Sequence, residues 1–274
     1  MQRFFIPLIA LCVFFFACKQ DPKNVAPGNQ PNTSANAPAS PQMLGGHWIA
    51  MDFCSRANQY GSVLAAMSNA HVPYCYSFEV NPSQPDSVLC SNGMETFKLA
   101  VKYLADTLVM LNARPGKNIF LVYDSKDDQD ITMFDGSTGS MQMDRFVKSK
   151  ANARDGYMAF QVALNHNLFG GTLTQLGKAA SGQITFTPGG FILGMKEYDR
   201  YVVCTAGDCF VGDDKTDVIT MSNHKNKGSE KMFCFRYNAH NDTLTFYNLV
   251  NKRPQEKGGY AVGAPAYRFY RKEQ

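Results

Sequence analysis

Ile119-Phe-Leu-Val-Tyr123, the polar stretch Asp124-Ser-Lys-Asp-Asp-Gln129 and Asp130-Ile-Thr-Met-Phe134 read together as a β-hairpin. Both arms are rich in aromatic and β-branched residues, and a polar reversal joins them. A related pattern returns at Met232-Phe-Cys-Phe-Arg-Tyr237, a polar turn, and Asp242-Thr-Leu-Thr-Phe246. That echo fits two related β units. It equally fits any two hairpins with hydrophilic turns, so the folded body, residues 44–274, is read here as one barrel domain.

Strand-like runs extend outward from this hairpin in both directions. Tyr74–Val80, Thr96–Tyr103 and Thr107–Asn112 precede it. Gln183–Thr187, Gly190–Met195, Tyr201–Cys204, Asp217–Ser222, Lys231–Tyr237, Thr243–Asn248 and Ala266–Arg271 follow. Ile184 and Phe186 share one face of their run, as do Leu244 and Phe246 of theirs. On the last run Tyr267, Phe269 and Arg271 fall on one face, Arg268 and Tyr270 on the other. The fold class expected is all-β and antiparallel. One segment departs from it: Ala57, Tyr60, Val63, Leu64, Met67 and Ala70 recur at spacings of three and four. That stripe predicts a short helix over 55–70, with Ser55 as its N-cap. Residues 150–168 can be written as a helix or as a strand leading to Phe169-Gly170-Gly171.

The N-terminus carries a different signal. Arg3 precedes an apolar run from Phe4 to Phe16, followed by Ala17-Cys18 and then by polar Lys19-Gln20-Asp21. The run is shorter than the ~20 apolar residues a spanning helix needs, so it reads as a secretion signal over residues 1–17. A small residue followed by cysteine resembles the lipobox of bacterial lipoproteins. That resemblance implies acylation of Cys18, with palmitate or a similar chain, and anchorage at the cell envelope, in the outer membrane. Phe15 and Phe16 depart from the family's usual leucine and small residue. Residues 18–43, rich in Pro, Asn, Ala, Ser and Gln, read as a disordered tether.

Gly46-His47-Trp48 opens the folded body. It resembles the Gly-x-Trp signature on the first strand of lipocalins and other calycins. The resemblance implies an antiparallel β-barrel whose narrow end is closed by Trp48, with Arg268 or Arg271 packed over the indole. The inserted helix, the greater length and the absence of recognisable second and third motifs depart from that family.

The charge balance, 27 Lys and Arg against 23 Asp and Glu, contains no basic run and points away from nucleic acid. Six body cysteines, at 54, 75, 90, 204, 209 and 234, suit disulfides in an exported protein. Cys204-Thr-Ala-Gly-Asp-Cys209 is the pairing expected first, across a short turn. Pairing of the other four stays open. No nucleophile elbow, zinc-binding His-Glu-x-x-His or phosphate-binding glycine loop occurs. Asp127, Asp128 and Asp130 lack the pattern of a calcium loop. Asp213-Asp214 and Glu197-Tyr-Asp199 could supply a carboxylate pair for glycosidic cleavage, but no pattern fixes their separation and exposed turns commonly carry such residues. No catalytic residue, metal or cofactor is therefore expected. Phe120, Phe186, Phe235 and Phe246 lie on predicted strands and would fill the barrel or line a cavity for an apolar ligand. The expected function is capture of a small, largely apolar ligand by a membrane-anchored protein. Two alternatives are a surface protein that binds a protein or glycan through its outer face, and a hydrolase on a β scaffold.

Overall fold

The computed structural model describes residues 38–68, 71–124, 130–136, 140–177, 182–206, 215–238, 240–252 and 259–271. The proposed signal, Cys18 and most of the tether lie outside the described residues.

The first unit begins with a helical turn, α1 (Pro41–Leu44), and β1 (Gly46–Ala50). Two helices follow at once, α2 (Met51–Tyr60) and α3 (Val63–Met67). Then come β2 (Ser77–Val80), β3 (Ser87–Ser91), β4 (Thr96–Leu104), β5 (Thr107–Arg114), β6 (Lys117–Asp124), β7 (Asp130–Phe134) and β8 (Gln142–Lys148). Each strand pairs antiparallel with the next. β8 returns to β1, with Trp48 opposite Lys148 and Ala50 opposite Phe146, and the barrel is closed. The helical stripe is real but broken. Gly61 adopts the left-handed conformation at φ 60° and ends α2, and the Ser62 hydroxyl caps α3 by accepting from the Ala65 N–H. The helix also starts earlier than Ser55. Its N-terminus is Ala50, which has no capping side chain.

The second unit follows α4 (Gly156–Phe169) and holds β9 (Gly171–Gln175), β10 (Gln183–Phe186), β11 (Ile192–Leu193), β12 (Arg200–Val203), β13 (Val218–Asn223), β14 (Asn226–Asn238), β15 (Thr243–Asn251) and β16 (Tyr260–Arg271). β16 pairs with β9, and β11 meets β12 through a single bridge, Phe191 to Arg200. Backbone bonds from Ile192 N–H to the Asp199 carbonyl and from Tyr201 N–H to the Gly190 carbonyl hold that seam. The sheet is thus eight strands in chain order, closed at one junction and nearly closed at the other.

Residues 44–274 therefore hold two eight-stranded units where one barrel was expected. The echo in the sequence falls on corresponding strands: β6 and β7 of the first unit, β14 and β15 of the second. The entrances correspond too. Gly45 and Gly170 end α1 and α4 with φ −51° each, and Gly46 and Gly171 open β1 and β9 at φ 121° and 119°. A Cβ on Gly170 would stand 2.2 Å from the His166 carbonyl oxygen. Glycine is required by that close approach and by the positive φ that follows.

The buried residues of both units join in one hydrophobic cluster. Trp48, Phe78, Leu108, Met110, Ile119, Leu121, Ile131, Met133 and Phe146 are buried in the first. Phe186, Tyr201, Ile219, Phe233, Phe235, Phe246 and Phe269 are buried in the second. α4 serves both. Phe160 stacks on Tyr76 beside the first barrel, with ring centres 4.8 Å apart, and Phe169 meets Phe186, Phe235 and Phe246 in the second. A helix that buries two faces must be apolar nearly all round, which is why its sequence carries no one-sided stripe.

Candidate functional site

Trp48 lies on β1 of the closed first barrel. It is 1% exposed, stacks on Phe78, meets Tyr123 edge-on, and donates its indole N–H to the Leu44 carbonyl at 2.7 Å. Its expected arginine partners are elsewhere. Arg268 and Arg271 lie on β16 of the second unit. Arg271 faces Leu173, donates to the Leu168 carbonyl and stacks over Tyr237; Arg268 is exposed, opposite Thr245. The residue facing Trp48 across the closing strands is Lys148. With Gly46 matched to Gly171, Trp48 corresponds to Leu173, and Lys148, opposite Trp48, corresponds to Arg271, opposite Leu173. Trp48 and Arg271 each donate to a carbonyl in the last turn of the helix that precedes their unit's first strand.

The four phenylalanines also divide. Phe120 is a half-buried residue of the outer face of β6, because Ile119, Leu121 and Tyr123 take the inner positions. It does not line the barrel interior. Phe186, Phe235 and Phe246 are fully buried in the second unit. Phe186 and Phe246 lie 5.8 Å apart, Phe235 and Phe246 6.5 Å, all in edge-on contact with one another or with Phe169. These rings are packed core.

Carboxylates serve the helices. Asp144 on β8 accepts from the backbone N–H groups of Asp52 and Phe53, filling the cap that Ala50 lacks, and pairs with Arg56 at 2.8 Å. Burial nevertheless pushes its carboxyl up to about 7, against the pull of Arg56. Asp217, just before β13, caps α3 from the other unit, accepting from the Ser62 hydroxyl and the Leu64 N–H. Burial raises its pKa as well. Asp130 is engaged by Arg145 at 3.2 Å, and Asp199 accepts from the His224 backbone and pairs with its ring. Asp127, Asp128, Asp213, Asp214 and Cys209 lie outside the described residues, and so therefore does the expected Cys204–Cys209 bridge. Cys54, Cys75, Cys90 and Cys234 are buried free thiols.

The candidate site is a cleft of about 760 Å³ where the two units meet. One wall is Ile49 of β1, Met51 of α2 and Val147 of β8. The other is Ala159, Val162, Ala163 and His166 on one face of α4, at helical spacing, with Pro188 of the second unit beyond. Lys148 and Lys150 stand at its edge. The Asn165 amide donates to the Pro188 carbonyl at 3.0 Å and ties α4 to that side. The volume is within the range of small-molecule sites, and an apolar lining with a few polar groups is their usual character. The α4 face could have been found in the sequence had residues 150–168 been read as a helix. The other wall could not, since it comes from three elements far apart in the chain.

No protein-family model, no curated protein and no solved structure matches this chain.

Proposed function

We propose that this protein is an envelope lipoprotein, anchored through Cys18 at the outer membrane, that binds a small, largely apolar ligand carrying a negative group. Export and anchorage rest on the apolar run, Ala17-Cys18 and the polar tether. The calycin reading rests on Gly46-His47-Trp48 at the start of a closed eight-stranded barrel. The observation that carries ligand binding is the cleft between the units, apolar along both walls and edged by Lys148, Lys150 and His166. An aliphatic or aromatic body would cover the walls, and its anionic end would face the lysines. The ligand site is therefore assigned to the cleft and not to the aromatic residues of the second unit.

The test is native mass spectrometry of the chain purified gently from its own cells, followed by titration with medium-chain carboxylic acids. A bound mass in the wild type, lost in Val162→Trp while the fold persists, supports the cleft. An unliganded chain that binds no carboxylic acid refutes it. A second reading, docking of a partner protein or glycan, is favoured by the seam of the second unit. There Phe191, Leu193 and Val202 are exposed, and Arg200 stacks over Phe191 at 3.9 Å.

A further inference from the structure

A second cleft, of about 610 Å³, shares no lining residue with the first. Tyr60 at the end of α2, with Leu64 and Ser68 at α3, forms one wall. Lys215, Arg236 and Tyr237 of the second unit form the other. The walls are fixed to each other. The Ser62 hydroxyl donates to one oxygen of Asp217 at 2.5 Å, and the Leu64 N–H donates to the other at 2.9 Å. Gly61 lies directly against Tyr237, where a Cβ would stand 2.5 Å from the tyrosine Cβ. Val218 faces Cys234, and the Phe235 N–H donates to the Asp217 carbonyl at 3.0 Å. The chain before β13 therefore runs beside Arg236 and brings Lys215 to the same wall.

The polar groups of this cleft are one-sided. Among the described residues, the only carboxylate lining it is Asp217, which is 7% exposed and has both oxygens occupied. The Tyr237 hydroxyl is spent on Asp242 at 2.6 Å, and the Ser68 hydroxyl on the Leu64 carbonyl at 2.9 Å. Lys215 and Arg236 are exposed, and neither has an ion pair among the described residues. The Arg236 guanidinium rests over the Tyr247 ring at 5.6 Å, and its N–H donors point outward in its own plane. Free donors and positive charge thus face a space with no free carboxylate. Such a lining suits an anion rich in acceptor oxygens. Two cations match a dianion, and a guanidinium matches phosphate oxygens in pairs. The Tyr60 ring, 45% exposed, offers an aromatic face to an organic body beside them. We propose that this cleft binds a phosphate monoester, held by Lys215 and Arg236 through its phosphate and by Tyr60 through its organic part. Such a group carries a charge of about −1.5 to −2 at pH 7. A soluble phosphorylated metabolite and a lipid with a phosphate-monoester headgroup share this chemistry. The site depends neither on the first cleft nor on the envelope reading.

Two arms test it on the full chain. In the first, isothermal titration calorimetry compares glucose 6-phosphate with glucose and with inorganic phosphate. Glucose 6-phosphate should bind, inorganic phosphate more weakly, and glucose not at all. Lys215→Ala and Arg236→Ala should each weaken binding about tenfold or more, because each loses a charge-assisted hydrogen bond. Both side chains are exposed, so far-UV circular dichroism should not change. Arg236→Lys should recover part of the loss, and Tyr60→Ala should weaken the sugar phosphate but not inorganic phosphate. In the second arm the chain is sedimented with phosphatidylcholine vesicles, plain or containing phosphatidic acid. A preference for phosphatidic acid, lost in the double variant Lys215→Ala/Arg236→Ala, supports the site with a lipid headgroup as its source. Binding of glucose 6-phosphate without that preference supports the site with a soluble source. No response to either ester, or a response undiminished in the folded double variant, overturns the proposal. Inorganic phosphate bound as tightly as glucose 6-phosphate overturns the monoester assignment.

Discussion

Trp48→Ala tests whether the indole closes the first barrel. The residue is 1% exposed, lies against Phe78 and Tyr123, and donates to the Leu44 carbonyl. Truncating such a ring removes its transfer free energy and leaves a cavity, at a cost of about 3–5 kcal/mol. The stranded Leu44 carbonyl accounts for about 1–3 kcal/mol of this. Trp48→Phe keeps a ring but loses that bond, so it should fall between wild type and Trp48→Ala. Urea unfolding followed by far-UV circular dichroism is the assay. At a slope of about 2 kcal/mol per M, the alanine variant should lose about 1.5–2.5 M from its midpoint. In the wild type, fluorescence of this only tryptophan reports the first barrel specifically. A shift below about 0.5 M would refute the closing role and, with it, the correspondence to the calycin first strand.

Two further outcomes are expected. Arg271→Ala removes a cation from Tyr237 and a donor from the Leu168 carbonyl, and should destabilise the second unit by about 1–3 kcal/mol. Native Trp48 emission should not move; a marked shift would mean that the two residues share a site after all. Asp144 has a folded pKa raised to about 7 from an ordinary value near 3.9, so the folded chain keeps a proton that the unfolded chain releases. Its contribution is full below about pH 4 and is lost as pH rises through about 7, a fall of about 3 kcal/mol between pH 5 and pH 8. Asp144→Asn should flatten that part of the stability profile, and equal pH dependence in both proteins would contradict the assignment.

The local alphabet of this fold is written plainly in the chain. Alternation marks Gln183–Phe186 and Thr243–Phe246 as strands, polar clusters mark the reversals, and Gly46-His47-Trp48 marks the first strand of a barrel. The faces of β16 also follow from alternation, with Phe269 buried and Arg268 and Tyr270 exposed. These features depend on neighbours a few residues apart, and the period of a strand reaches no further. Ile119-Phe-Leu-Val-Tyr123 shows where that reasoning stops. Every position in it is apolar, so the pattern cannot say whether Phe120 or its neighbours face inward, and only barrel closure puts Phe120 outside. The same holds at larger scale. Pairing of β8 with β1 and of β16 with β9 divides the body in two and sends Trp48 and Arg271 to different units. It also assembles the cleft from β1, α2, β8, α4 and a turn of the second unit. Those contacts join residues up to some hundred positions apart, through side-chain packing that no local period encodes.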